Sequence, residues 1–377
     1  MTQAGLYIHV PFCTSVCPYC DFSVTMTGEE RREGYLAALE LEIARSVHHD
    51  FSFGTVYLGG GTPSSLRDAQ LTRIRDAIRS GLHLAPDPVF HIEINPEDVQ
   101  MRSAGAWRDL GFRFASLGVQ SFDDDALAFL GRGHDGAAAR RAAEVLVEAG
   151  FETVSVDLIF GLPGQPAEQW RRQLETALEL GVHHLSCYQL TIHDGTIFGN
   201  RKRRGELTEL HEDGQAELYL LTHEVLGAAG WEGYEVSNFA ASPEHRSIHN
   251  RKYWDHTPYI GLGPSAHSFD GRRRWWNRSK LRLWAAELAS GRSPAEGSEE
   301  LTDAELFFEA VMLGLRTADG IDLEVLQRRF GPEIAVFNDA GIESLVATDH
   351  LHCDGSRLLP TPRGLAVAEA LLKSILR

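Results

Sequence analysis

No run of apolar residues in this 377-residue sequence reaches the roughly 20 that a bilayer-crossing helix needs, and no apolar stretch follows a basic start at its N-terminus. Neither a membrane-spanning nor a secreted protein is expected, and the cytoplasm is the expected compartment. Basic residues are also short, with 36 Lys and Arg against 53 Asp and Glu and a formal net charge of −17. Such a surface repels phosphate backbones and anionic lipid alike, so no nucleic acid partner is expected. Cysteine is scarce, yet three of the five fall within eight residues. In a reducing compartment that crowding reads as metal binding, not as a disulfide framework. Internal repeats and low-complexity tracts are missing too. What remains is a globular chain, long enough for one large α/β domain with a smaller companion.

β-branched runs predict strands at Leu6–Pro11, Thr55–Gly59, Val89–Asn95, Phe114–Gln120, Thr153–Phe160 and His184–Ile192. Amphipathic stretches alternate with them: Leu36, Leu39, Ile43 and Val47 form one stripe, and others cover Ala69–Ser80, Gly136–Ala149 and Ala167–Leu180. Six βα units in series require a parallel sheet, because each crossover needs a helix to return the chain. The expected architecture over residues 1–237 is α/β, a curved and partly closed (β/α)6 barrel, with an open doubly wound sheet as the alternative. A seventh strand is expected at Gly233–Val236, after a helix at Gly214–Ala228. Residues 238–299 read as an aromatic-rich connection ending in a linker, Ser290–Glu300. Residues 300–377 read as a small helical, winged-helix-like domain, with helices at Thr302–Leu315, Leu323–Phe330 and Glu333–Val346, a ribbon near Leu358 and a last helix.

The loop after the first strand reads Cys13-Thr-Ser-Val-Cys17-Pro-Tyr-Cys20. Three thiolates in one short loop can hold three corners of a 4Fe–4S cube, leaving the fourth iron open to an outside ligand. The amino and carboxylate groups of S-adenosylmethionine (SAM) suit that vacancy. A structural zinc site completed by His9 is the alternative, but zinc usually takes paired knuckles and no second one exists. Cys187 and Cys353 stand alone and read as core thiols. Further along, Gly59–Pro63 carries three glycines, which permit close approach and could offer amides to an anion. Strand alternation puts Glu93 on one face with His91 and Asn95.

The run Tyr7-Ile-His-Val-Pro-Phe-Cys-x3-Cys-x-Tyr-Cys-Asp-Phe resembles the start of the coproporphyrinogen III dehydrogenase-like branch of radical SAM proteins, and the likeness extends over nearly the whole chain. By that resemblance Cys13, Cys17 and Cys20 are the cluster ligands, and Tyr7 and Tyr19 lie against cluster and SAM. Gly60, Gly61 and Thr62 hold the methionyl end of SAM, and Glu93, Gln120, Arg132 and Asp157 contact the same cofactor. Arg132 suits a carboxylate, while Gln120 and Asp157 suit amino or hydroxyl groups. His134, near Arg132, reads as a surface histidine.

Two features separate this chain within the branch. The decarboxylating enzyme carries another cysteine two residues after the third ligand, where this sequence has Phe22. It also has a longer N-terminal arm. The second feature, His249-Asn-Arg-Lys-Tyr253-Trp254, matches the H-N-x-x-Y-W signature of the haem chaperone subfamily. An imidazole can ligate haem iron, and Tyr253 and Trp254 offer flat faces for a porphyrin. Arg251 and Lys252 suit propionates, and Arg272–Arg274 with Trp275 and Trp276 form another surface for an anionic tetrapyrrole. The C-x-x-C-H attachment motif is absent, so haem would be held without that linkage. Three functions stay open. One is a haem carrier serving apo-haemoproteins such as respiratory enzymes, with cluster and SAM gating homodimer formation or docking on a membrane partner. Another is an oxygen-independent coproporphyrinogen III dehydrogenase. The last is a radical SAM enzyme acting on some other substrate.

Overall fold

The structure is a computed structural model that describes residues 2–26, 28–46 and 50–376. Six strands follow one another in sheet and sequence order: β1 (Thr2–Val10), β2 (Phe51–Gly60), β3 (Leu84–Ile94), β4 (Phe112–Gln120), β5 (Thr153–Phe160) and β6 (His184–Gln189). Every neighbouring pair is parallel. The sequence dictates this. β5, Thr-Val-Ser-Val-Asp-Leu-Ile-Phe, is buried everywhere but at Asp157, as a strand covered on both faces must be. The crossover helices supply the outer layer of the same core, with Leu36, Leu39 and Ile43 from Glu29–Arg45 and Leu71, Ile74 and Ile78 from Asp68–Gly81. Val47, the fourth residue of the expected stripe, lies outside the described residues. Local signals set helix ends too: Asp135 accepts from Ala138 N to start Gly136–Glu148, and Gly150, at φ 82°, ends it.

The sheet extends beyond the six strands on both edges. β7 (Glu232–Gly233) and β8 (Asn238–Ala240) pair antiparallel beside β6, so the strand expected at Gly233–Val236 is a two-residue edge that begins one residue earlier. The seventh parallel strand is β9 (Tyr259–Leu262), which pairs with β1 on the other side. β10 (His267–Phe269), β11 (Arg273–Asn277) and β12 (Ala295–Glu300) continue from it antiparallel. The expected linker is therefore largely an edge strand. Its sequence, Ala-Glu-Gly-Ser-Glu-Glu, has no apolar alternation because its side chains face water, and such charges also block further pairing. A side chain at Gly297 would strike the Trp276 ring.

The C-terminal part has its own core, built from Phe307, Val311, Leu315, Leu326, Leu358 and Leu371 among others. Helices Asp303–Gly314, Leu323–Phe330 and Asp339–Ala347 pack with a ribbon of β13 (Ile321–Asp322), β14 (Leu351–Asp354) and β15 (Arg357–Pro360), followed by a helix at Ala368–Ile375. The third helix starts at Asp339, six residues later than expected. Tertiary pairing takes the preceding backbone, since Phe337 bridges Leu376 and Asn338 N donates to Ile375 O. This part is stitched to the barrel by Val236 N to Arg316 O and Ala318 N to Tyr234 O, each 3.0 Å.

Candidate functional site

At the carboxyl ends of the parallel strands lies a cavity of about 1550 Å³, counted with its open mouth. Cys13, Cys17, Cys20, Tyr19, Gly60, Gly61, Thr62, Glu93, Gln120, Arg132 and Asp157 all line it. All three thiols are half-buried. Burial pushes the Cys13 and Cys20 thiols up, and at Cys13 a hydrogen bond from Thr62 works against that. Thr62 Oγ1 donates to Cys13 Sγ at 3.6 Å, and Arg132 Nη1 donates to Cys17 Sγ at 3.4 Å. Arg132 is held by Nη2 on Asn95 Oδ1 (2.8 Å) and Gly118 O (2.9 Å), and Asn95 Nδ2 returns to Thr62 Oγ1. Its Nε is buried and makes no hydrogen bond among the described residues.

Zinc fits poorly. Among the described residues no three His, Cys, Asp or Glu side chains converge as ligands of one ion would. His9, the expected fourth ligand, has Nε2 on Ser23 O at 2.9 Å and Nδ1 on Tyr7 OH at 3.1 Å. Thiolates on the separate irons of a cube need no such convergence.

The glycine turn has a different job from the one its composition suggested. Its amides are spent within the protein: Gly61 N on Val10 O, Thr62 N on Phe12 O, and Gly60 N on Glu93 Oε2. They lock the cysteine loop and Glu93 in place instead of meeting an anion. The fit is close, since a Cβ at Gly61 would sit 2.8 Å from the carbonyl oxygens of Val10 and Phe12. Gly61→Ala should cost about 2 kcal/mol by overpacking and displace Cys13. Iron content after anaerobic reconstitution should fall, whereas Gly28→Ala, with open space around it, should not change it. Equal iron in both would show that the turn does not position the loop.

Two buried carboxylates face the cavity. Glu93 accepts from Tyr57 OH and from Gly60 N, both at 2.9 Å, yet burial pushes its carboxyl up to about 7. Asp157 accepts from Ser116 Oγ at 3.1 Å, and burial pushes it up to about 6. A cationic ligand beside them would offset that cost and restore their ordinary acidity. Gln120 closes β4 at φ 68°, a left-handed conformation that strains a non-glycine residue and persists only where the surroundings impose it.

Tyr7 does not line the cavity. It stands behind the wall, stacked on Tyr57 with ring centroids 6.1 Å apart. The haem-assigned residues also lie elsewhere. His249 is 1% exposed in the barrel's bore, with Nδ1 on Thr55 Oγ1 (2.8 Å) and Nε2 on Tyr253 OH (3.0 Å), and it stacks on Tyr57 at 5.0 Å. Both ring nitrogens are engaged, so in this structure His249 is a satisfied interior residue. Trp254, on the same short helix (Ile248–Trp254), borders a different cleft, against the C-terminal part. Helical geometry explains the split: positions 249 and 253 share a face, and 254 is turned about 100° away. The arginines are spent as well, Arg272 on Asp303, Arg274 on Glu299 and Glu309, and Arg251 on Asp319. His134 is buried, not on the surface, with Nε2 3.0 Å from Val119 O. Cys187 is buried, but Cys353 is exposed on the ribbon and is no core thiol. Tyr57, Asn95 and Ser116 were missed as site residues, although strand alternation puts Asn95 on the Glu93 face and Ser116 on that of Gln120.

The comparisons agree with this geometry. The radical SAM superfamily profile matches residues 7–196, and that of the HemN C-terminal domain matches 301–367. Haem chaperone HemW of Mycobacterium tuberculosis is 36% identical over 377 aligned residues, covering 99% of this chain and 94% of its own. Haem chaperone HemW of Bacillus subtilis is 33% identical, covering 95% of each. Among solved structures, Escherichia coli coproporphyrinogen III oxidase (HemN) superimposes with a TM-score of 0.86 over 99% of this chain and 90% of that one; at 21% identity it shows the fold. With cysteine loop, cavity and full-length relatives in agreement, the chain belongs to the HemW family of radical SAM proteins.

Proposed function

We propose that this protein carries haem in the cytoplasm and passes it to apo-haemoproteins, respiratory enzymes among them, with a 4Fe–4S cluster and SAM bound in the barrel cavity. Cys13, Cys17 and Cys20 would hold the cluster. Arg132, whose guanidinium lines the cavity, would meet a carboxylate, while Glu93 and Asp157 would meet the amino group and ribose of SAM. When bound, the pair supplies one-electron chemistry at the SAM sulfonium. The protein's own share is to exclude water and hold charge: the Arg132–Asn95–Thr62 chain steadies two of the three thiols, and Glu93 is steadied by Tyr57 and Gly60.

The observation that carries the carrier reading over the dehydrogenase one is Phe22. It lines the cavity and is 64% exposed at its mouth. A phenyl ring neither donates nor accepts a proton or hydrogen atom, so the decarboxylating enzyme's extra thiol has no counterpart there. The full-length relatives named haem chaperones support the same reading. Cluster and SAM would then act as gates for homodimer formation or docking on a membrane partner. The test is an anaerobic assay of reconstituted protein with SAM, reductant and coproporphyrinogen III, beside a haem titration of the same sample. Stoichiometric haem binding without protoporphyrinogen is the expected result. Multiple turnovers to protoporphyrinogen would overturn it.

A further inference from the structure

The barrel cavity has an outer rim that the cluster and SAM assignments leave unused. Val16, Phe22, Tyr188, Thr191 and His193 line the cavity there, and all five are exposed. We propose that haem binds across this mouth, with His193 as axial ligand to its iron and Phe22 against its porphyrin face. The assignment rests on the carrier reading above and takes the iron ligand from a residue other than His249.

His193 carries the case. It is the only histidine among the described residues that line the cavity. The three thiols there are committed to the cluster, so His193 is the side chain left to bind iron. Its ring is half-exposed, and Nδ1 has no hydrogen-bond partner among the described residues. Asp21 Oδ2 stands 3.7 Å from the other nitrogen, Nε2, too far for a hydrogen bond but within reach of two half-exposed side chains that can turn toward each other. A carboxylate on one ring nitrogen fixes the tautomer that offers the other to a metal. Asp21 follows Cys20 directly, so the loop that holds the cluster also orients the imidazole. The backbone of His193 is pinned from the other side. Thr196 Oγ1 donates to His193 O at 2.7 Å, and a Cβ at Gly199 would strike that same oxygen. The ligand is thus anchored while its ring stays accessible.

The rim matches the rest of the ligand. Phe22, Val16 and Tyr188 are large apolar side chains exposed around one opening, and such a gathering marks a binding surface where scattered ones would not. The same Phe22 that cannot deliver a hydrogen atom presents a flat apolar face to a ring. On the scale of small-molecule sites the cavity measures about 430 Å³, low in the range of about 300–1,000 Å³ typical of them. That is one ligand's worth of space, and under the reading above SAM takes it. A porphyrin therefore covers the opening, its propionates in solvent, instead of sharing the interior. Haem held there lies over SAM, so the cofactor leaves only after the cargo.

The test is a hemin titration of the full-length, cluster-reconstituted protein, read by Soret absorbance and electron paramagnetic resonance. It compares wild type with His193→Ala, His193→Met, Phe22→Ser and His249→Ala, with circular dichroism as the folding check. For His193→Ala, affinity should drop at least about tenfold, the loss that even indirect partners of a metal ligand give. Added imidazole should restore the histidine signature. His193→Met should show an altered axial-ligand spectrum, while His249→Ala should keep the wild-type one. Phe22→Ser should keep the histidine signature and bind more weakly. Hemin should also slow the release of labelled SAM from wild type but not from His193→Ala. A wild-type spectrum and affinity in both His193 variants would overturn the assignment; if those variants then failed to deliver haem to an apo-haemoprotein, the mouth would be a protein-docking face instead. Failure of wild type itself to bind hemin would remove the carrier reading, and this site with it.

Discussion

Cys17→Ala protein, reconstituted anaerobically with iron and sulfide, is expected to lose the 4Fe–4S chromophore and nearly all bound iron. A cube held at three corners has no protein ligand to spare, and with Cys17 gone two thiolates must hold four irons. The electrostatics worsen too. Arg132 Nη1 is hydrogen-bonded to Cys17 Sγ, while Nη2 stays fixed on Asn95 and Gly118, so the guanidinium cannot follow the change and keeps one more donor unpaired. Because a cluster bound only to the native state adds to its stability, the variant should also lose the rise in melting temperature that reconstitution gives wild type. Cys187→Ala and Cys353→Ala supply the comparison. One thiol is buried in the barrel core and the other exposed on the C-terminal ribbon, and neither lines the cavity. Both should keep full iron content. A complete chromophore in Cys17→Ala would mean that this loop does not hold the cluster.

Much of this site was legible because it is written locally. The cysteine spacing lies in one loop, and Glu93 was placed by alternation along a single strand. Most of the six strands announce themselves as short runs rich in apolar and β-branched residues, as in Thr153–Phe160, since both of their faces are covered. What escaped is written across long separations. β9 has only four residues, two of them apolar, and becomes a strand because β1, some 250 positions earlier, offers it an edge. β12 carries no pattern at all, because an exposed edge strand needs none. Nor did composition reveal that the amides of the glycine turn face inward, because their acceptors belong to the β1 end and to Glu93. The placing of His249 is a different kind of miss. A motif names residues but not their directions, although helical periodicity alone separates 249 and 253 from 254.

The long-range link that most decides whether the extra strands stay attached is Glu42. It lies on helix Glu29–Arg45, which follows the cysteine loop, and it is buried. Its carboxyl accepts from Gly263 N (2.7 Å), Asn277 Nδ2 (2.6 Å) and Trp284 Nε1 (3.2 Å), tying the ends of β9 and β11 and helix Leu281–Ala289 to the barrel. Glu42→Ala leaves these donors buried without that acceptor, a loss of about 3–5 kcal/mol. The pH dependence identifies the cause. Burial, outweighing the three donors, pushes the Glu42 carboxyl up to about 7 from a usual 4.5. Between those values the folded chain holds this proton more firmly than the unfolded one, so through Glu42 wild-type stability falls as pH rises, by about 1.4 kcal/mol per unit. Glu93 and Glu235, also pushed up to about 7, slope the same way, but they do so in both proteins and cancel in the comparison. Denaturant unfolding of the cofactor-free proteins should therefore show a larger gap between wild type and Glu42→Ala at pH 5 than at pH 8. An equal gap at both would mean that Glu42 is ionised throughout, with its three donors outweighing the cost of its burial.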